Sequence, residues 1–150
     1  MKTIRLFNNH ILLTICLLPL FFISCQSESE QDQVNCGEVV CTLEFRMIHI
    51  KIRNAEGGAV ALDSYRVVRK DNGSDLGLEP EQTAIQNMRE TGEYLLIDDS
   101  FSEQLRNSEQ VVKFEGFKDG EMIVSEDYTV GADCCHVRLI SGNPELVIRG

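Results

Sequence analysis

Beyond residue 42 the chain alternates apolar and polar residues with a period of two, the pattern that sends successive side chains to opposite faces of a strand. Leu43, Phe45 and Met47 hold one phase, and Ile48, Ile50 and Ile52 hold the other. The slip at Met47-Ile48 predicts a bulge or a change of sheet. Asn54-Ala55-Glu56-Gly57-Gly58 reads as a turn, and Val60 to Lys70 as a second strand with Leu62, Tyr65 and Val67 inward. Lys70-Asp71-Asn72-Gly73 closes that strand with an Asn-Gly pair suited to the positive φ of a hairpin turn. Pro80, then Ala84, Ile85 and Met88 at helical spacing, then Gly92, predict one short surface helix. Strands resume at Tyr94 to Ile97, Val111 to Phe117, Met122 to Val124 with Tyr128 to Val130, Cys135 to Ile140, and Glu145 to Ile148. Asp119-Gly120 supplies a tight turn among them. About seven short strands separated by turn signals predict a single all-β sandwich.

The first 24 residues follow another pattern. Lys2 and Arg5 precede an apolar run from Ile11 to Ile23, which reads as a secretory signal, and Pro19 argues against an uninterrupted spanning helix. Phe22-Ile23-Ser24-Cys25 resembles a bacterial lipobox, in which a small residue precedes the cysteine that becomes the new N-terminus. The resemblance implies lipidation of Cys25, cleavage before it, and anchoring in a lipid bilayer through several acyl chains, which hold far more firmly than one. Gln26 to Gln33 contain no apolar residue and read as a flexible tether. An acidic stretch after the lipidated cysteine resembles the surface-sorting signal of Bacteroidetes lipoproteins, although here the acids alternate with Ser and Gln. The expected organisation is therefore a signal peptide over 1–24, a lipidated tether over 25–35 and a β-sandwich over 36–150. The expected location is the bacterial outer membrane, on its periplasmic or its surface-exposed face.

Charge narrows the partners. Removing residues 1–24, which carry Lys2 and Arg5 and no acid, takes the formal charge from −10 to −12. A balance this acidic disfavours nucleic acid and anionic membrane surfaces. Arg46, Lys51, Arg53, Arg66, Arg69 and Lys70 are interleaved along strands and form no basic block.

The stretches "IHIKIRNAEGGAVALDSYRVVRKDNG", "TGEYLLIDDSF" and "QVVKFEGFKDGEMIVSEDYTV" resemble the small carboxypeptidase-regulatory-like or transthyretin-like domains. Asn54 stands where that group prefers Asp, and Ala59 where it often has Pro. The resemblance implies an Ig-like, transthyretin-like sandwich with a noncatalytic binding or spacer role. The ending "YTVGADCCHVRLISGNPELVI" also resembles that of small Bacteroidetes outer-membrane lipoproteins.

The densest chemistry is Gly131-Ala132-Asp133-Cys134-Cys135-His136-Val137. Cysteine and histidine are soft-metal ligands, and on a strand Cys134 and His136 would share one face with Cys135 on the other. Two ligands on a face do not complete a site. The four cysteines beyond Cys25, namely Cys36, Cys41, Cys134 and Cys135, form an even set in an exported chain, which predicts two disulfides. Bridging the adjacent pair closes a strained ring, so Cys36 and Cys41 are each expected to pair with one of Cys134 and Cys135, in either order. His136 is then expected to be packed or hydrogen-bonded.

Other chemistry is thinner. Asp71, Gly73 and Asp75 echo a calcium loop, but Leu76 stands where a Gly is needed. Asp98-Asp99 and Glu126-Asp127 are neighbours whose side chains diverge on a strand, and no G-x-S-x-G elbow or phosphate loop is present. Asn72-Gly73-Ser74 fits a glycosylation sequon as well as a turn. Together these features predict no enzyme and no cofactor. The expected function is a noncatalytic anchored module that binds an envelope protein or glycan, or serves as an accessory of an envelope assembly. The competing expectation is a metal- or redox-handling lipoprotein using Cys134, Cys135 and His136.

Overall fold

Period-two runs rich in β-branched and aromatic residues form seven strands in the computed structural model, which describes residues 35–149. The signal, Cys25 and the tether through residue 34 lie outside the described residues. Strands β1 (Met47–Asn54), β3 (Glu93–Asp98) and β7 (Glu145–Ile148) form one sheet in the order β3-β1-β7, with β1 antiparallel to β3 and parallel to β7. Strands β2 (Ser64–Arg69), β4 (Glu109–Lys118), β5 (Glu121–Ala132) and β6 (Val137–Ser141) form an antiparallel sheet in the order β2-β4-β5-β6. The two sheets enclose one apolar core, so the expected all-β sandwich is the observed fold.

Ile50, Ile52, Tyr94, Leu96 and Ile97 of the first sheet share that core with Val67, Val112, Phe114, Tyr128 and Val130 of the second. Aromatic rings join the sheets directly. Tyr94 meets Tyr65 edge-on at 5.5 Å between ring centroids, Tyr65 stacks on Phe114 at 5.3 Å, and Tyr94 lies 6.2 Å from Phe114. Contacts of this kind add about 0.5–1.5 kcal/mol each beyond the area they bury. Gly116 of β4 leaves room for Leu62, whose Cδ1 lies 2.8 Å from where a Cβ would stand. The outer face of the second sheet is polar, with Arg66 bonded to Glu115 at 2.6 Å and Lys70 paired with Asp127.

The chain crosses from the first sheet to the second between Ala59 and Asp63. Tyr94 secures that crossing with its hydroxyl, which donates to the Val60 carbonyl at 2.8 Å and accepts from the Leu62 N–H at 2.7 Å. Burial pushes this phenol up against the opposing pull of the Leu62 N–H, which keeps it protonated as a donor. The second strand is therefore shorter than the sequence suggests: Val60 to Asp63 are crossing chain, Leu62 points inward, and pairing begins at Ser64.

Turn chemistry sets most of the remaining boundaries. Asp119 (φ 52°) and Gly120 (φ 79°) make the two-residue link between β4 and β5, with Lys118 opposite Glu121. Gly73 takes φ 70° in the turn after β2, where Arg69 and Ser74 pair. Helix α1 (Gln82–Thr91) follows Pro80 and ends at Gly92, whose left-handed φ of 65° closes it. One further turn, α2 (Ser102–Leu105), has no periodic signal in so short a stretch.

Two expectations need correction. Leu43 and Phe45 belong to no strand: β1 starts at Met47, and the slip appears as a bulge between Ile48 and His49 in its pairing with β3. Cys135 and His136 also precede their strand, because β6 starts at Val137 and residues 133–136 form a tight loop.

Candidate functional site

Asp133 shapes the loop between β5 and β6. Its Oδ1 accepts the backbone N–H groups of Cys135 and His136, both at 2.8 Å, while its own N–H donates to the His136 carbonyl at 3.0 Å. These bonds, led by the one from Cys135, hold the Asp133 carboxyl below its ordinary value. The folded-back loop turns two adjacent sulfurs toward separate partners. Cys36 bridges Cys134 with Cα atoms 5.3 Å apart, and Cys41 bridges Cys135 at 5.4 Å. The order left open by the sequence is thereby fixed, and the divergence comes from a loop, not from the two faces of a strand. In this state the four sulfurs offer no thiolate to a metal, and no group of three or more His, Cys, Asp or Glu in metal-binding geometry occurs among the described residues.

His136 lies against the bridges and is buried. Its Nδ1 is 2.7 Å from Asp99 Oδ2, and its Nε2 is 3.1 Å from Thr42 Oγ1. The carboxylate accepts from Nδ1, so in the neutral ring Nε2 is left to accept from the Thr42 hydroxyl. Asp99 also accepts the Arg46 N–H at 2.7 Å and the Val137 N–H at 2.8 Å, while the Asp99 N–H donates to the Arg46 carbonyl at 3.0 Å. Burial alone would push the Asp99 carboxyl up. The Arg46 N–H, the His136 ring and the Val137 N–H outweigh burial and hold it below the carboxylate range.

Carboxylate, imidazole and hydroxyl thus stand in the order of a nucleophile relay. Thr42 lies on an exposed segment beside a hollow of about 410 Å³, with Arg46 and Glu44 among its lining groups. The bonds of the cluster join residues 36–46 to the 133–137 loop, and Asp99 holds both segments to the end of β3. Mechanically the cluster is a clamp on the leading segment. His136 is hydrogen-bonded, as expected, but Asp99, Asp133, Thr42 and Arg46 carry no sequence signal for this role. Asp98 and Asp99 do diverge: Asp98 caps a turn by accepting from Ser100, and Asp99 faces the histidine. Of the residues that echo a calcium loop, Gly73 takes the positive φ of a turn and Asp75 accepts the Gly77 N–H.

A second concavity, about 860 Å³, lies between the outer side of β1 and β3 and the start of α1. Phe45, Met47, Leu78, Met88 and Leu95 contribute apolar surface, and Glu79, Glu81, Glu93 and Asp98 contribute carboxylates.

Compared with known protein families, curated proteins and solved structures, the chain matches none.

Two tests follow from the clamp. Chain-entropy reasoning assigns about 4–5 kcal/mol to the first bridge, which closes a loop spanning 98 or 94 residues. With one bridge in place, the other closes only a small ring through residues 36–41 and 134–135, worth about 2–3 kcal/mol. Removing either bridge with paired Cys→Ser changes should therefore cost less than half of what removing both costs, as measured by guanidinium unfolding.

The second test is pH. A carboxylate whose folded pKa is depressed contributes stability above its unfolded pKa, and loses that contribution as pH falls through the folded one. For Asp99 and Asp133, stability should hold to about pH 4 and decline below it. Asp99→Asn should flatten part of that decline and cost about 1–3 kcal/mol at neutral pH, read from urea titrations across the range.

Proposed function

We propose that this protein is a noncatalytic, lipid-anchored module of the bacterial outer membrane that displays a transthyretin-like β-sandwich for binding a protein or glycan, or as an accessory of an envelope assembly. The observation that carries the reading is the position of the two disulfides, Cys36–Cys134 and Cys41–Cys135. Both sit where the leading segment meets the sandwich, so tension arriving along a tether reaches covalent bonds before it reaches any strand. Two bridges also suit an exported protein in an oxidising compartment. From Cys25 to Cys36 the chain has 11 residue steps. At full extension these span at most about 40 Å, enough to lift the domain clear of lipid headgroups. The lipobox-like Ser24-Cys25 and the apolar-free tether support the same reading, and the clamp role of Asp99, His136 and Thr42 supports a structural over a catalytic cluster.

Cys25→Ala expressed in a bacterial host should leave the precursor uncleaved or release the protein from membranes, as read by detergent phase partitioning and intact mass. A variant that remains membrane-bound at the mature mass, with no acyl mass lost, sinks the anchor. Fluorophosphonate treatment should leave the wild-type protein unlabelled. Labelling of Thr42 that disappears in His136→Gln would overturn the noncatalytic reading.

A further inference from the structure

We propose that the groove between the outer side of β1 and β3 and the start of α1 is the partner site of this module, and that it takes a peptide segment of another protein that alternates basic and apolar residues. The inference rests on the reading of the protein as a binding module and names the chemistry of its partner. Phe45 and Met47 on one wall are 57 % and 52 % exposed, an unusual outlay of large apolar surface beside a sandwich that buries Leu95 and Met88 next to them. Phenylalanine and methionine in such positions are typical of interface centres.

Charge selects the occupant. The groove is lined by Glu79, Glu81, Glu93 and Asp98, with no lysine or arginine and with His49 as its one other titratable group. Glu93 is paired with Lys51 at 3.0 Å, whereas Glu79, Glu81 and Asp98 form no ion pair among the described residues. A groove with an apolar floor and unpaired carboxylates attracts lysine and arginine and repels phosphate, which disfavours nucleic acid and anionic lipid. A second copy of the chain is disfavoured for the same reason, since a two-fold contact would set these carboxylates against themselves. The wall also offers backbone. Phe45 lies outside every strand, and its N–H and C=O groups make no backbone hydrogen bonds among the described residues. A peptide laid along Phe45 can pair with them.

The test uses the full-length protein in detergent and three fluorescent octapeptides, alternating lysine with leucine, glutamate with leucine, and lysine with serine. The lysine–leucine peptide should bind most tightly, and salt should weaken it. Glu79→Lys with Glu81→Lys should lower its affinity on the order of tenfold. Phe45→Ser with Met47→Ser should weaken it too, with the thermal midpoint retained. Glu121→Lys, at the start of β5, should leave binding unchanged. Equal binding of all three peptides, indifference to the Glu79/Glu81 reversal, or sedimentation showing that this face joins two copies would overturn the proposal. None of these results touches membrane partitioning of Cys25→Ala, so failure of the groove and failure of the anchor are told apart.

Discussion

Parts of the chain remote in sequence meet on the Asp99 carboxylate. Its two oxygens accept from the Arg46 N–H, the His136 ring and the Val137 N–H, at 2.7, 2.7 and 2.8 Å. Arg46 leads into β1, Asp99 follows β3, and Val137 opens β6, so one anion joins a corner of both sheets. Much else hangs on it. His136, held by Asp99 on one side, reaches Thr42 on the other, and the loop that Asp133 folds between them turns Cys134 and Cys135 toward their partners. An apolar residue at 99 would leave the His136 ring and the Val137 N–H without this acceptor, a cost of about 1–3 kcal/mol for each group so stranded.

Tyr94 performs the corresponding task at the sheet crossing. One side chain contributes a ring to the inter-sheet aromatic cluster and a hydroxyl to the backbone at Val60 and Leu62. These polar contacts act on the native state by satisfying buried groups. The disulfides act differently, chiefly by restricting the unfolded chain. Because the bridges join adjacent residues at one end and residues five apart at the other, their effects are strongly non-additive, as the nested rings require. The leading segment is thus held by covalent and hydrogen-bonded devices, and by very little burial: Val40 is 93 % exposed, and Leu43 is fully exposed.

The sequence carried the fold well and the site only in part, for physical reasons. Period-two runs identify β4, β5 and β7 because each has one face in the core, β3 stands out as a continuous apolar run buried from Tyr94 to Ile97, and Asp119-Gly120 and Gly92 announce their turns through required backbone angles. Leu43 and Phe45 continue that alternation with no partner strand, so periodicity alone overstates β1. His136 was readable as a hydrogen-bonded residue, and the four cysteines as two bridges from the first pair to the second. Their order was not readable, since it depends on how Asp133 folds the loop. Asp99 was hidden for a similar reason: an acid 37 residues from its histidine leaves no local trace. The groove was hidden as well, because its walls come from residues 45–49, 78–88 and 93–98, which only the β1–β3 pairing and the docking of α1 bring together.

The clamp and the groove are mechanically one system. Phe45 follows the bridged Cys41 by four residues and immediately precedes Arg46, whose N–H and carbonyl are both bonded to Asp99. Its side chain lines the groove, so the wall is positioned from one end by sulfur and from the other by the buried carboxylate. Neither constraint is supplied by a strand, which leaves the backbone of Phe45 open to a partner while the segment itself stays in place. A segment paired into the sheet would be equally fixed but would have spent those groups, and an unclamped one would lose conformational entropy on binding. Clamping an unpaired segment at both ends therefore combines a pre-organised wall with an unsaturated backbone.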